Sequence, residues 1–370
     1  MARIESLPAE LLLMVVEEAK NNDSLKSLRL VNRLFCSLTE PFLFETIVFD
    51  SSLPTSYELL KTLGTRNGPH RISTYVRTLV IRCFDRHFSP ARYYVSVSGA
   101  CQAHECQRLF DSRVERAVRA LGNLKGIKVL AGCDSISPSS VWSALKKHAD
   151  KIPLKHITVS AKLDRTFLDY LSNSRSAIGL EDLAIHRAWS SPDERADREL
   201  ADLFFHGVLP QHRDTLRTLV ITAAEEGPWS IQRGNINEVA ACGNLREIGV
   251  SINSEDIGAS DPEGGDVLTS TLEMAHRLPF LTKVSFSPAE SKRWGGSSSW
   301  AVLAEQHGPR TLLMMAKRVM GLDLSQHPSS SPSIEIDGQI YLKRTAGDQY
   351  LPSLSLEEAR SRRGEKHRWL

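Results

Sequence analysis

LRTLVI, at residues 216–221, has apolar residues at its first, fourth and sixth positions. Leu219 and Ile221 are two positions apart, so in a β-strand their side chains lie on the same face. Ile221 is also β-branched, which favours a strand. We therefore expect this segment to include a strand that contributes its apolar side chains to a core.

The same pattern, apolar-x-x-apolar-x-apolar, occurs seven times along the chain. The first residues of successive segments are 48, 30, 26, 36, 29 and 36 positions apart. Recurrence of this kind is typical of a solenoid, whose units bury a common core by stacking. The other six segments are VRTLVI (76–81), LKGIKV (124–129), LKHITV (154–159), LEDLAI (180–185), LREIGV (245–250) and LTKVSF (281–286).

Helical patterns lie between the predicted strands. CQRLFDSRVERAVRAL (106–121) repeats apolar residues on one helical face, and four later segments do the same after polar starts. Strand, loop and helix in regular order predict an α/β fold with a parallel sheet backed by helices. The four later helical segments are 164–174, 199–209, 235–245 and 266–278.

The N-terminal region has a different pattern. SLPAELLLMVVEEA (6–19) predicts a helix that starts near Pro8, with Ser6 as its cap. Its apolar run is too short to cross a membrane, and the acidic residues around it argue against a secretory signal. A second helix is predicted at 24–31, with Val31 on its inner face, and a third at 32–47, kinked or restarted at Pro41.

LPAELLLMVVEEA, followed by LKSLRLVNRLFCSLTEPFLFETI, resembles the F-box, and most closely its fungal versions. The resemblance covers residues 4–49. Where many F-boxes have cysteine and tryptophan, this chain has Asn32 and Phe35. The motif positions fall on Leu7, Pro8, Glu10, Leu11, Leu28, Arg29, Val31, Asn32, Arg33 and Phe35.

This resemblance implies a partner and a set of contact residues. The F-box docks on a Skp-family adaptor of a cullin–RING ubiquitin ligase, and the chain would be an interchangeable substrate receptor of that SCF-type ligase. The adaptor-facing residues would be Leu7, Pro8, Leu11, Leu28, Val31 and Phe35.

The predicted strands and helices resemble an irregular leucine-rich-repeat array, which commonly follows a fungal F-box. Two features depart from the standard repeat. The asparagine expected after each strand occurs only as Asn253, and four of the six spacings exceed the usual 20–29 residues. We predict a small three-helix F-box-like bundle at 1–50, an irregular leucine-rich-repeat-like solenoid with a parallel sheet at 51–320, and a linker, hairpin and charged tail at 321–370. The hairpin turn is predicted at Asp337-Gly338.

Composition limits the classes of partner. The chain of 370 residues has 46 Lys and Arg against 44 Asp and Glu, so its net charge of +2 does not favour nucleic acid or an anionic membrane as a partner. Six cysteines are few for this length, and without a secretory signal we expect reduced thiols and a cytoplasmic or nuclear location.

The sequence contains no recognised catalytic motif. No Gly-rich phosphate loop, G-x-S-x-G or H-E-x-x-H occurs. Cys101, His104 and Cys106, with Cys83 and His87 upstream, match no common zinc spacing, and we expect a loop cluster of reduced residues rather than a metal site. We predict no enzymatic activity, no metal and no cofactor.

Two function classes remain besides a less favoured unrecognised hydrolase. The first is the substrate receptor, in which the repeats bind an unknown target protein and other subunits carry out ubiquitin transfer. The second is a repeat scaffold without a ligase role, in which the N-terminal helices only cap the array.

Three tryptophans follow predicted strands and are candidate target-binding residues: Trp189, Trp229 and Trp294. Tryptophan is enriched in interface hot spots, and loops at the carboxyl ends of parallel strands share one rim. The hypothesis is that at least two of the rings line one surface, with arginines nearby; alternatively, each ring covers the edge of its own repeat. The arginines are Arg187, Arg233 and Arg293.

Overall fold

The computed structural model shows an α/β protein with a mostly parallel sheet. The chain divides into two compact units, Met1–Ile157 (unit 1) and Thr158–Leu370 (unit 2), so the division falls inside the segment 51–320 that was predicted as one domain. The structure describes residues 7–19, 22–50, 53–64, 70–83, 101–131, 138–172, 179–189, 193–257, 266–289, 298–322, 332–343 and 350–352.

Unit 1 contains seven helices and three strands among its described residues, and β4 (His156–Ser160) lies across the division. Its helices are α1 (Ala9–Glu18), α2 (Asn22–Arg29), α3 (Arg33–Leu43), α4 (Pro54–Gly64), α5 (His70–Tyr75), α6 (Cys101–Ala120) and α7 (Ser139–Lys147). Its strands are β1 (Thr46–Asp50), β2 (Thr78–Cys83) and β3 (Gly126–Ala131), which pair in parallel and in chain order.

Unit 2 continues the alternation of strands and helices. Its helices are α8 (Arg165–Leu171), α9 (Glu194–Asp202), α10 (Leu209–His212), α11 (Ile236–Ala240), α12 (Val267–Arg277) and α13 (Ser298–Met320), with a π-helical turn at Leu203–Val208 and a 3₁₀ turn at Ser254–Asp256. Its strands are β5 (Asp182–Ala188), β6 (Thr218–Ala223), β7 (Glu247–Ile252), β8 (Lys283–Pro288), β9 (Ser333–Ile336), β10 (Gln339–Lys343) and β11 (Tyr350–Pro352).

Strands β5 to β9 of unit 2 are parallel and lie in chain order, and the predicted hairpin follows them. β9 and β10 are antiparallel and join through Asp337 and Gly338, whose φ angles are 46° and 86°. Left-handed φ at both turn residues matches the twist of the flanking strands, which is why Asp-Gly predicts such a turn. β11 then pairs antiparallel with β10.

All seven predicted strand segments are confirmed. In each one the strand begins two residues after the first apolar position. Every one of the three apolar positions in every segment is buried, as at Leu216, Leu219 and Ile221. The residues between them in β6, such as Val220, are half-buried. In β6 one face is therefore buried and the other is half-buried, as the period of two predicted, whereas β7 is buried on both faces from Ile248 to Ile252.

Shared carbonyl groups align the strand starts. In unit 1 the N–H groups of Lys125 and Gly126 both donate to the Arg77 carbonyl, at 2.8 and 2.9 Å. In unit 2 the N–H groups of Arg246 and Glu247 both donate to the Arg217 carbonyl, at 2.7 and 3.1 Å. The residue just before each of these strands thus accepts, through its carbonyl, two hydrogen bonds from the start of the next strand.

The N-terminal helices differ from the expectation in two places. The third helix was predicted to reach residue 47, but α3 ends at Leu43, with Pro41 inside its last turn, and β1 follows. Ile47 and Phe49 are both buried in β1, so pairing with β2 outweighs the helical spacing of the preceding apolar residues. Val31 was predicted on the inner face of the second helix, but α2 ends at Arg29 and Val31 lies exposed in the following turn.

Candidate functional site

The first candidate site is the surface of α1, α2 and α3. These helices share a small core made by Leu12 and Val16 of α1, Leu25 of α2 and Phe35 of α3. Asn32 caps α3 by accepting a hydrogen bond from the Phe35 N–H at 2.8 Å, which fixes the turn before that helix. The core is thus built from one face of each helix, and other apolar residues of these helices remain outside it.

Several apolar residues of α1 lie outside this core and are exposed. Leu11, Met14 and Val15 are spaced i, i+3 and i+4, so they lie on one side of the helix, and they are 45, 62 and 41% exposed. Leu30 and Val31, in the turn between α2 and α3, are 86 and 61% exposed. Exposed apolar side chains in such density are typical of a protein–protein contact surface. We call these five residues the apolar N-terminal surface.

The structure places the six residues implied as adaptor contacts in different environments. Leu7, Pro8, Leu11 and Val31 are exposed, and Leu28 is half-buried. Phe35 is 2% exposed, because its ring fills the core between the helices. In this conformation the Phe35 side chain packs beneath the exposed residues of the helices and is not accessible to a partner.

The second candidate site is the set of loops at the carboxyl ends of the strands in unit 2. Trp189 is half-buried, directly after β5, and the Lys162 ammonium lies 5.0 Å from the centre of its ring. Arg187, in the bulge at the end of β5, has φ of 55° and donates its N–H to Thr222 Oγ1 at 3.0 Å. Arg187 is itself exposed. Trp189 and Arg187 are therefore accessible from solvent at this rim.

Trp229 does not fit the target-binding hypothesis. Its ring is 2% exposed and packs near Phe204, with centroids 5.8 Å apart. Its indole N–H donates to the buried Asp197 carboxylate of α9 at 2.9 Å. The ring is buried and its N–H is hydrogen-bonded inside unit 2. Trp229 therefore anchors the loop 224–235 and cannot contact a target in this conformation.

The remaining candidates lie outside the described part of the chain or remain predictions. Trp294 and Arg293 belong to a segment that the structure does not describe, while Arg233 is exposed in the loop 224–235.

Cys101, His104 and Cys106 lie in the first turns of α6 and not in a loop, and their side chains are outside the described set, as are Cys83 and His87. Among the residues with described side chains, no group of three or more His, Cys, Asp or Glu could hold a metal ion.

Sequence reasoning missed one feature of this rim, a pocket of about 490 Å³. Its acidic lining comes from Glu194 and Asp202 of α9, Glu226 of the loop 224–235, and Glu255 of the 3₁₀ turn after β7. A signal was present, because acidic pairs follow two adjacent predicted strands, at 225–226 and 255–256. The helix that completes the pocket could not be placed from the sequence.

Loop 224–235 and the 3₁₀ turn are tied together by side chains. Glu226 accepts hydrogen bonds from the Ser254 N–H at 2.7 Å and from the Ser254 hydroxyl. Asn253 accepts from the Gly227 N–H at 3.1 Å and donates to Asp256 Oδ2 at 3.1 Å. Asn253, the residue singled out in the repeat pattern, thus satisfies turn groups of two adjacent loops.

None of the described helices is long and apolar enough to cross a membrane. In comparisons with known proteins, the chain matches no protein-family model, and no curated protein is significantly similar to it.

Proposed function

We propose that this chain is a substrate-recognition adaptor of an SCF-type E3 ubiquitin ligase. In this proposal residues 1–50 are an F-box-like three-helix bundle that docks on a Skp-family adaptor. Residues 51–320 are an irregular leucine-rich-repeat-like solenoid that binds a target protein. The chain supplies proximity and orientation, and other subunits supply the chemistry.

The observation that carries the proposal is the apolar N-terminal surface. Leu11 and Val31 occupy F-box motif positions and are exposed, while Leu12 and Val16 of the same helical region fill the core. Leaving large apolar side chains in water costs free energy, so their exposure is best explained by a partner that covers them. The parallel strands in chain order, separated by helices, support the repeat-like part of the proposal.

A specific observation also favours the second candidate, a repeat scaffold without a ligase role. Helices α1 to α3 belong to the same compact unit as β1, β2 and β3, and α3 contacts α5. Helices that pack within the first unit could serve as its cap. In that case their apolar residues would stabilise the unit without binding an adaptor.

Point substitutions on the exposed surface separate the two candidates. We expect Leu7→Asp and Val31→Asp each to weaken copurification with a co-expressed Skp-family adaptor at least about tenfold, because a charge replaces an apolar anchor at the interface. Neither side chain lies in the core of the helices, so both variants should retain the wild-type circular dichroism spectrum and melting temperature.

Leu53→Asp is the matched control, since Leu53 is another exposed leucine of unit 1, outside α1 to α3. It should bind the adaptor like the wild type. If Leu7→Asp and Val31→Asp also bind like the wild type, the receptor proposal is wrong. A truncation should start at Glu45, because deletion of residues 1–50 would also remove β1. Loss of solubility on this truncation would favour the scaffold.

A further inference from the structure

β1 is the first strand of the sheet and has a neighbouring strand on one side. It pairs in parallel with β2, and no strand among the described residues pairs with its other edge. Helix α4 packs on the face that carries Phe49, where the rings of Phe49 and Tyr57 have centroids 5.4 Å apart. The opposite face carries Thr46 and Val48, which are both exposed, Val48 to 41%.

The pairing with β2 determines which backbone groups of β1 point away from the sheet. Successive residues of a strand direct their N–H and C=O groups alternately to its two sides. The Glu45 carbonyl accepts from the Thr78 N–H at 2.9 Å, so the odd-numbered residues of β1 point at β2. Thr46, Val48 and Asp50 therefore direct both of their backbone groups outward.

The chain itself satisfies this edge only at one end. The Asp50 N–H donates to Ser56 Oγ at 3.1 Å, and the Asp50 carbonyl accepts from the Leu53 N–H at 3.0 Å. Within the described part of the chain, no group bonds to the outward N–H and C=O of Thr46 and Val48. Donors and acceptors on residues two positions apart are therefore available to a partner strand.

The edge of β1 lacks the features by which proteins protect such a strand. Lysine, proline, a bulge or a very short strand discourages pairing with another chain. The last strand, β11, is three residues long and ends at Pro352, whose nitrogen cannot donate. β1 is five residues long, and its segment TIVF at 46–49 contains neither proline nor charge. An edge of this kind favours pairing with a second strand.

The available backbone groups match those of a second copy of the same strand. In an antiparallel pair, two residues that face each other can exchange both N–H···O bonds. A two-fold axis at Ile47 places Thr46 opposite Val48 of the second copy, and Val48 opposite its Thr46. Every outward N–H and C=O of these residues then has a partner, with no donor or acceptor left over.

The side chains suit the same register. Thr46 and Val48 are β-branched and lie on one face of β1, so each Thr–Val pair would pack across the two strands. Antiparallel pairing also places Glu45 opposite Phe49 of the second copy, and Asp50 opposite its Phe44. The acidic residues at the two ends of the strand are thus not brought opposite each other.

We propose that two copies of this chain associate through their β1 edges, in antiparallel register about Ile47. Each copy offers the same edge to the other, so the contact is isologous and closes at two copies. It uses neither the apolar N-terminal surface nor the loops of unit 2. The dimer is therefore independent of the proposed ligase function.

The test measures self-association of the full-length chain by sedimentation velocity at several micromolar concentrations. We expect a concentration-dependent monomer–dimer equilibrium for the wild type. Thr46→Lys combined with Val48→Lys should weaken the dimer at least about tenfold, because the register brings the introduced lysines opposite one another. Thr46→Lys combined with Val48→Glu should form a dimer at least about tenfold tighter than the double-lysine variant, since a lysine then faces a glutamate.

These two variants are a matched pair, because they differ at one position and change only exposed side chains. Both should melt at the temperature of the wild type. Equal association of the two charge variants, a wild type that stays monomeric, or assemblies larger than a dimer would each overturn the proposal.

Val48→Pro tests the backbone bonds directly. It removes an outward N–H and leaves the bonds to β2 in place, so it should abolish the dimer. Val48→Thr keeps the N–H and the branched side chain and should dimerise like the wild type. If Val48→Pro also lowers the melting temperature, the two charge variants decide the question.

A last control separates this edge from the apolar N-terminal surface. Leu7→Asp combined with Val31→Asp should dimerise like the wild type, because neither residue lies on β1. Loss of the dimer in this variant, with the dimer retained in the double-lysine variant, would assign self-association to the N-terminal helices and overturn the proposal.

Discussion

At the scale of single residues, Trp229 shows how one side chain can hold a loop. The sequence places it after a strand among polar residues, which made it a candidate for an exposed contact. The buried Asp197 carboxylate, 32 residues earlier, accepts its indole N–H, and this partner could not be identified from local sequence. The pairing explains why a large aromatic residue in a polar loop is buried.

This pairing predicts a graded loss of stability. Trp229→Ala should lower the free energy of unfolding of unit 2 by about 3–5 kcal/mol, because it leaves a cavity. Trp229→Phe should cost about 1–3 kcal/mol, because it removes the donor to a buried carboxylate. Urea unfolding of the variants measures both. Trp189→Phe, at a half-buried ring, is the control and should change stability by less than about 0.5 kcal/mol; equal effects at both positions would contradict the anchoring role.

Asp256 predicts how stability depends on pH. Burial is the main cause that raises its pKa above the ordinary 3.8, so the folded chain binds this proton more tightly than the unfolded chain. The stabilisation from that proton is complete below pH 3.8 and is lost as the pH rises through the raised pKa. Above that pH the fold bears the cost of a half-buried charge.

Asp256→Asn should therefore stabilise the protein at neutral pH, with a smaller gain as the pH falls through this window. Asparagine keeps an oxygen that can accept the hydrogen bond from Asn253. Urea midpoints at neutral and mildly acidic pH, relative to the wild type, measure the effect. Asp214→Asn, at an exposed position, is the control. A gain for Asp256→Asn that is the same at every pH would rule out this titration as its origin.

At the scale of elements, the sequence predicted strands more accurately than helix ends. Each strand can be predicted from its own segment alone, because the apolar residues that show the period of two are the same ones that fill the core. β1 was missed because Phe42, Leu43 and Phe44 extend the helical spacing of α3 up to the strand, and only pairing with β2 identifies Thr46–Asp50 as extended. The acidic pocket was missed for a related reason, because it needs a helix and two loops that come together only in the folded chain.

The hairpin between β9 and β10 gives a prediction at this scale. Gly338 has φ of 86°, where a Cβ atom is strained even though it would meet no atom within 4 Å. Gly338→Ala should therefore destabilise the hairpin by about 1 kcal/mol, seen as faster hydrogen exchange in β9 and β10. Gly243→Ala, where a Cβ also meets nothing within 4 Å and the backbone is not left-handed, is the matched control and should leave this exchange unchanged.

At the scale of the whole molecule, each compact unit can be monitored by a buried or half-buried thiol. Cys242 is fully buried in unit 2, and burial, with smaller contributions from Glu238 and Asp214, raises the pKa of its thiol to about 12. Cys36 is half-buried on α3 in unit 1. Alkylation requires a thiolate that is accessible to the reagent, so Cys242 should react only after unit 2 opens.

We expect iodoacetamide to label Cys36 well before Cys242 under native conditions, and to label both equally fast in urea. Peptide mass spectrometry of the intact chain after timed quenching gives the two rates. Trp229→Ala should accelerate the labelling of Cys242 and leave Cys36 unchanged, since it weakens unit 2 alone. Equal native rates for the two thiols would show that Cys242 is not protected as the fold requires.

The shared carbonyl at each strand start also bears on how such a chain can lengthen. The Arg217 carbonyl fixes where β7 begins. The number of residues between Ala223 and Glu247, which is 23, therefore does not set the register of β7. Insertions or deletions at exposed positions of this span, away from the Trp229 anchor and α11, would leave the following strand in register. An added residue between Leu219 and Ile221, inside β6, would by contrast place one of these two side chains on the opposite face of the strand. A chain built in this way can therefore vary its repeat length, here from 26 to 48 residues, over evolutionary time and still keep its sheet.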